Sequence, residues 1–429
     1  MGKKILVAGA GHGGLTAAAL LARAGYDVTV LEKQPREALG YDWPDCFVPA
    51  VLREIGLTPP PAEQMRPMGA LHYFSPAKTV HIRPPQEKLS KTVFYIERRD
   101  LLRHLCALAE ENGAQLRFET PVLGPLTQGV RVTGLRTQTE ELQADLVIDA
   151  AGMDSPVRTQ LPAACGVPRE IRAEDTIFTF RAIYEEQAGS SGLPPSCSYF
   201  YHAGSCGFDW VLHDPAGVDV LVGAIGGISD RIVDTALADF RKDHPDLSAR
   251  LLRGGQYAKI PLRRALVQFV CDGYAAVGDS ASMIEPLSGS GITQSIRAGA
   301  MLAETVLAAG EAPLTVARLW DYQTAWFRRF LRRQLSDDAS KSFLLEAGER
   351  RLNLLFEKRV LTEKELCGGK QSAADLLHKA TGFLSSPSLA PLLVNMLRRQ
   401  RLTETLAKTL PAQFDPVQFA KWRTLYESF

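Results

Sequence analysis

Residues 7–33 read VAGAGHGGLTAAALLARAGYDVTVLEK, and this stretch decides the fold. Ile5 to Ala8 form a short, wholly apolar strand of the kind buried in parallel sheets covered on both faces. The strand runs into a Gly-x-Gly-x-x-Gly turn at Gly9, Gly11 and Gly14. Leu15 to Ala24 are strong helix formers without a breaker, Gly25 ends the helix, and residues 27–33 alternate as a second strand. The unit is strand, helix, strand, and each position has a mechanical reason. Gly9 permits the tight turn, Gly11 lets backbone approach a pyrophosphate, and Gly14 lets helix and strand pack closely. His12 and Gly13 stand at the helix N-terminus, where free N–H groups and the positive dipole end favour an anion. Glu32 closes the second strand, ahead of Lys33, and its carboxylate can accept both hydroxyls of an adenosine ribose. The same charge repels a 2′-phosphate.

Bulk properties narrow the classes. The 429 residues are 45% hydrophobic, which suits two or three globular units. Lys and Arg total 49 against 48 Asp and Glu, a formal charge of +1, so no global field recruits nucleic acid. The seven cysteines are Cys46, Cys106, Cys165, Cys197, Cys206, Cys271 and Cys367. They contain no Cys-x-x-Cys pair, so no disulfide framework, metal site or iron–sulfur cluster is expected, and reduced thiols point to the cytoplasm. No Ser-His-Asp or metal constellation shows at a recognisable spacing. The N-terminal strand runs straight into the glycines rather than a cleavage site, which argues against a secretory signal. No uncharged apolar run reaches the roughly 18 residues needed to span a bilayer.

Far downstream stands GYAAVGDSASMIEPLSGSGITQSIRAGAMLAE, residues 273–304. It reads as a strand ending at Gly278, Asp279 projecting from the strand terminus, a loop holding Pro286, Gly289 and Gly291, and a helix from Ile292. A carboxylate at 279 can bind a polyol, and the backbone from Gly289 to Ile292 can stabilise negative charge on a reduced ring.

Together the two segments resemble the paired FAD motifs of flavoproteins with the p-hydroxybenzoate hydroxylase fold. The resemblance implies an α/β chain: an FAD-binding Rossmann-like three-layer domain, an inserted antiparallel β-sheet substrate domain and a C-terminal helical region. It assigns the ADP half of FAD to Gly9, Gly11, His12, Gly13, Gly14, Glu32 and Lys33. Ribitol and isoalloxazine fall to Asp279, Pro286, Gly289, Gly291 and Ile292. Two further elements match. In IERRDLLRHLCALAEENGAQL (96–116), Arg98, or Arg99 in the other register, leans over the pyrophosphate. In ADLVIDAAGMDSPVR (144–158), a buried strand runs into Gly152 and Asp154. Val122 occupies the place where backbone meets the adenine.

Within that fold, PLSGSGI followed by SIRAGAMLAE is similar to the geranylgeranyl reductase family, and no His follows the Gly-Asp pair as it commonly does in aromatic hydroxylases. That family carries an aromatic motif with a Trp facing the flavin. Here GFDWVLHD (207–214) matches through Phe208 and Trp210, while Leu212 and His213 replace the family's Phe-Pro. Phe208, Trp210 and Leu212 alternate on one strand face, which lines an apolar pocket or packs a sheet core. Tyr199 and Tyr201 alternate similarly and are candidate walls of the pocket. Cys46, in LGYDWPDCFVPAVLREIGL (39–57), stands where the family has a Cys-Gly near the flavin, with Phe47 in place of Gly. Cys46 and Trp210 are therefore the catalytic candidates, and an inert buried thiol is the alternative for Cys46.

The expected boundaries are 1–165 and 259–330 for the FAD-binding domain, 166–258 for the substrate domain and 331–429 for the helical region. Residues 60–92 are expected to add strands or a lid, and SGLPPSCS and HPDLSARLLRGGQ to serve as connections. Trp320, Trp326, Phe327 and Phe330 interleave with Arg328, Arg329, Arg332 and Arg333, and LAPLLVNMLRRQRL (389–402) repeats the mix. Such segments are either a helical cap with a solvated basic face or a peripheral contact with an anionic membrane inner face. The expected activity is FAD-dependent reduction or dehydrogenation of a carbon–carbon double bond in an apolar isoprenoid-like or polycyclic substrate. The alternatives are an FAD monooxygenase and an electron-relay subunit. With one dinucleotide fingerprint, electrons must come from NAD(P)H docking in the same cleft or from a redox protein partner.

Overall fold

The computed structural model describes residues 2–83, 91–189, 192–363, 366, 381–382 and 386–429. Cys367 and part of the expected 60–92 element lie outside them. The first apolar strand is Lys4–Ala8, at the centre of a six-stranded sheet. Its order is Val270–Cys271, Tyr274–Ala276, Leu146–Asp149, Lys4–Ala8, Asp27–Leu31 and Gln115–Arg117. All neighbours are parallel except the antiparallel edge strand Val270–Cys271. Val28, Thr29, Val30 and Leu31 are all buried, because layers cover both faces. Helices His12–Arg23, Arg98–Glu111 and Ile292–Ala309 share this core. So does the antiparallel sheet of Val122–Gln128, Arg131–Thr137 and Glu141–Gln143, through Val132 and Leu135.

A second sheet has seven strands, in the order Leu247–Ile260, Ile177–Glu186, Gly217–Ile225, Phe208–Asp214, Ser196–Phe200, His72–Phe74 and His81–Ile82. The last two come from the 60–92 stretch. Helix Asp230–Asp243 covers one face, burying Val233, Ala236, Leu237 and Phe240 against Ala182, Val211 and Val220. HPDLSARLLRGGQ was expected to connect but instead opens the 14-residue edge strand Leu247–Ile260. Its Gly254 and Gly255 sit at φ +76° and +69° where the register with Ile177–Glu186 shifts, so the glycine pair makes a bulge inside the sheet.

The long helix Val316–Glu357 breaks its helical geometry at Gly348 (φ 66°, ψ 172°). Trp320, Trp326 and Phe327 are buried in the core of the first domain together with Phe419, Trp422 and Tyr426 of helix Pro416–Glu427. Arg328, Arg329, Arg332 and Arg333 point outward. Among the described residues no helix is long and apolar enough to cross a membrane.

Candidate active site

The glycine turn packs closely against its neighbours. Gly9 has φ +89°, a conformation that L side chains rarely adopt. A Cβ at Gly11 would stand 2.9 Å from the Ala150 carbonyl oxygen, one at Gly13 2.7 Å from the Ser295 carbonyl oxygen, and one at Gly14 2.9 Å from Val7 Cγ1. Gly14 thus permits close helix–strand packing, Gly13 lets two helix N-terminal turns meet, and Gly11 accommodates the 149–152 loop. Glu32 is buried, with Oε2 accepting from the Ala10 N–H and Oε1 from the Gln34 N–H, both at 2.8 Å. Two charge-assisted bonds fix the carboxylate at the end of the second strand, and each oxygen keeps a further lone pair. Lys33 is exposed beside it. Thr120 donates its N–H to the Glu32 carbonyl at 2.8 Å, which brings the start of strand Val122–Gln128 alongside.

At the other end, the Asp279 carboxylate lies 3.3 Å from where a Gly291 Cβ would be, against the first turn of helix Ile292–Ala309. Pro286 is buried, and Gly289 has φ +72°. Burial raises the Asp279 carboxyl from its ordinary value, and Arg98 opposes the rise. Burial likewise holds the His12 imidazole well below its usual range, and the Arg98 charge adds to the effect. His12, Arg98 and Asp279 therefore share one electrostatic space. His12 Nε2 is buried without a hydrogen-bond partner among the described residues, a costly arrangement that a bound polar group would relieve.

A buried network behind the site had no local signature beyond the strand end LVID. Asp149 Oδ2 accepts from the Ser155 hydroxyl at 2.6 Å and the Tyr274 hydroxyl at 2.9 Å, and Oδ1 accepts from the Ser280 hydroxyl at 3.0 Å. Ser280 accepts from the Gly152 N–H at 2.9 Å. The Gly-Asp-Ser turn and the 149–152 loop are thereby locked together under the glycine turn.

A charge chain that the sequence did not reveal links this region to the large sheet. Arg98 Nη1 donates to Asp45 Oδ2 at 2.9 Å, and Arg181 Nη1 donates to Asp45 Oδ1 at 3.1 Å. Arg181 also grips Asp219 with two bonds, 2.9 Å from Nε and 2.6 Å from Nη2. Burial alone would lower the Arg181 guanidinium, yet the Asp219 carboxylate more than offsets this and raises it. The guanidinium carbon is 5.1 Å from the Trp210 ring centroid and 5.5 Å from that of Trp43. Phe208, Trp210 and Leu212 lie on the sheet face away from helix Asp230–Asp243, and Phe208 packs with Ile284 of the 279–291 loop. Cys46, on strand Pro44–Phe47, pairs across to Tyr95, and Ser290 of that loop lies near its thiol. Burial, then the neighbouring Asp45, pushes its thiol up to about 11. Burial also raises the Tyr95 phenol, with Cys46 adding to the effect. Both are proton-bearing at neutral pH.

The two tyrosines do not wall this face. Tyr199 projects to the opposite side, stacked on Phe74 and packed at a tilt against Phe240, with its hydroxyl 2.9 Å from His244 Nε2. The alternation is real, but the pleat sends odd-numbered residues of strand Ser196–Phe200 under the helix. Tyr201 leaves the strand in a left-handed conformation (φ 53°) and donates to the Leu344 and Leu345 carbonyls at 3.3 Å, tying the C-terminal helix to the sheet.

Comparison with known proteins bears on the fold. Residues 3–186 match the FAD binding domain family. The solved structure of a geranylgeranyl bacteriochlorophyll reductase-like protein from Thermoplasma acidophilum superposes with a TM-score of 0.73 at 22% identity, over 92% of this chain and 99% of that one. This chain has the fold of the FAD-dependent oxidoreductases. Among curated relatives, the digeranylgeranylglycerophospholipid reductase of Thermoplasma volcanium is 26% identical over 83% of this chain and 92% of its own length. The reductase of the same name from Sulfolobus acidocaldarius is 23% identical over 98% of this chain and 95% of its own. The residues suit FAD: glycines whose backbone carries no side chain at the helix N-terminus, an anchored Glu32 carboxylate, the Asp279 turn and the orphaned His12 nitrogen.

Proposed function

We propose that this chain reduces carbon–carbon double bonds of an apolar isoprenoid substrate. The relatives support the substrate class, since they are named reductases of a geranylgeranyl-bearing lipid. Gly9, Gly11, His12, Gly13, Gly14, Glu32, Lys33, Arg98 and Val122 would hold the ADP half of FAD, and Asp279, Pro286, Gly289, Gly291 and Ile292 the flavin half. FAD, when bound, supplies hydride transfer at N5. The chain's own residues do the remainder. Phe208, Trp210 and Leu212 offer a desolvating surface for an isoprenoid. Cys46 Sγ, held protonated beside Ser290, delivers the proton that completes addition across the double bond. The observation that carries the reading is this pairing of an apolar sheet face with a protonated thiol at the loop after Asp279.

Electrons would reach the site from NAD(P)H in the same cleft or from a redox protein. A substrate of this kind resides in membranes, and helix Ala390–Thr409 exposes Val394 and Leu397 near Arg398 and Arg401, which supports a peripheral contact with an anionic surface. The test is Cys46→Ser in the FAD-loaded protein. Slowed substrate reduction with unchanged flavin reduction and unchanged FAD content is expected, whereas unchanged turnover removes Cys46 from the mechanism.

A further inference from the structure

On the far side of the large sheet, away from Trp210, two imidazoles and a carboxylate converge from separate elements. His213 stands near the end of strand Phe208–Asp214, His244 follows helix Asp230–Asp243, and Asp246 precedes strand Leu247–Ile260. One ligand atom from each lies within 4.8 Å of the others. His244 is fully buried and Asp246 is 8% exposed, yet His244 Nδ1 and Asp246 Oδ1 have no hydrogen-bond partner among the described residues. Two orphaned polar atoms at one buried point are expensive unless something binds them.

The remaining ring nitrogens are already engaged. His213 Nδ1 is 3.2 Å from Glu186 Oε1, and His244 Nε2 is 2.9 Å from the Tyr199 hydroxyl. Metal-bound histidines are characteristically held this way, with the outer nitrogen donating to an oxygen while the inner one ligates. His213 Nε2 and Asp246 Oδ2 are 3.4 Å apart. That is long for a hydrogen bond, but it matches the edge of a tetrahedron whose metal–ligand bonds are about 2.0–2.1 Å.

We propose that His213 Nε2, His244 Nδ1 and the Asp246 carboxylate bind one divalent transition-metal ion of the zinc class. Two imidazole nitrogens with a single carboxylate suit zinc, and calcium and magnesium prefer all-oxygen shells. Glu186 and Asp243 add negative charge nearby, and Asp243 is itself paired with Lys78. The His213 side chain, 20% exposed, gives the ion an entry path and a water the fourth position. Strands Phe208–Asp214 and Leu247–Ile260 are separated by two others in the sheet, so the ion staples its two flanks at the helix-covered face. The role is structural, since Trp210 points the other way. Sequence spacing conceals the set because His213 is 31 positions from His244.

The experiment uses the full FAD-loaded chain without a histidine tag, stripped with a chelator and titrated calorimetrically with zinc chloride. One equivalent binds, and the thermal midpoint rises with zinc. His213→Gln and Asp246→Asn each lose the site, and Glu186→Gln weakens binding about 10- to 100-fold. If Asp246→Asn fails to fold, His213→Gln, at a partly exposed position, still decides the matter. Absence of a stoichiometric zinc isotherm, or zinc binding unaltered by His213→Gln, overturns the proposal.

Discussion

Arg181 offers the sharpest energetic test, because it lies at the junction of the two sheets' chemistry. It is 5% exposed, its partner Asp219 is 2% exposed, and the two share a bidentate contact. Arg181→Met removes the cation, keeps most of the volume and leaves Asp219 as an uncompensated buried charge. Breaking a buried pair in this way costs about 3–5 kcal/mol. Asp219→Asn costs less, about 1.5–3 kcal/mol, because Arg181 keeps its 3.1 Å bond to Asp45. The double variant carries no orphaned charge in the pair, so its cost falls well below the sum of the singles. A coupling energy of about 2–4 kcal/mol is therefore expected from the cycle. Urea unfolding of the four proteins, followed by far-UV circular dichroism, measures it. An Arg181→Met penalty below about 1 kcal/mol, or strictly additive singles, would refute the buried-pair account.

Other expectations follow from single positions. Gly14→Val drives a side chain into Val7 and the Ala150 methyl, so the purified protein should be colourless while retaining its secondary structure; a full flavin spectrum would contradict the tight packing. The Cys46 thiol, pushed up to about 11, should resist iodoacetamide at pH 8 and react faster only as pH approaches 11; a rate midpoint near pH 9, the ordinary thiol value, would show it unburied. Burial pushes the Asp337 carboxyl up to about 6, so it binds its proton more tightly folded than unfolded. Stability from this group is fully present below about pH 4 and is lost as pH rises through 6. Asp337→Asn should thus stabilise the protein by about 1–3 kcal/mol at pH 7.5 and little at pH 4, as read from paired melts.

What the sequence disclosed and what it hid have separable physical causes. The two segments proposed to hold FAD are local strand–turn–helix units, in which glycines and a terminal carboxylate stand in fixed register, so the turns at Gly9 and Gly291 and the strand-end carboxylates Glu32 and Asp279 were legible from spacing. Trp210 shares a sheet face with Phe208 and Leu212 because period-two alternation survives in an antiparallel strand. Tyr199 lies on the opposite, helix-covered face, and alternation gives two faces without saying which residues of different strands share one. The partners Asp45 and Arg181 are 136 positions apart and meet only after the chain has folded twice over itself. Asp149 is an acidic residue at the end of an apolar strand, a position that alone names no partner. Gly254 and Gly255 carry the composition of a linker, and only pairing with Ile177–Glu186 shows them to be a bulge.

The central claim is reduction of an isoprenoid double bond on an FAD-loaded site, and single turnover under argon tests it most directly. The FAD-loaded protein, reduced with dithionite, is mixed with a digeranylgeranyl lipid, and the product is weighed by mass spectrometry with and without air. Gain of hydrogen pairs under argon, with oxidation of the flavin, is the predicted result. No product under argon and an added oxygen atom in air would contradict it.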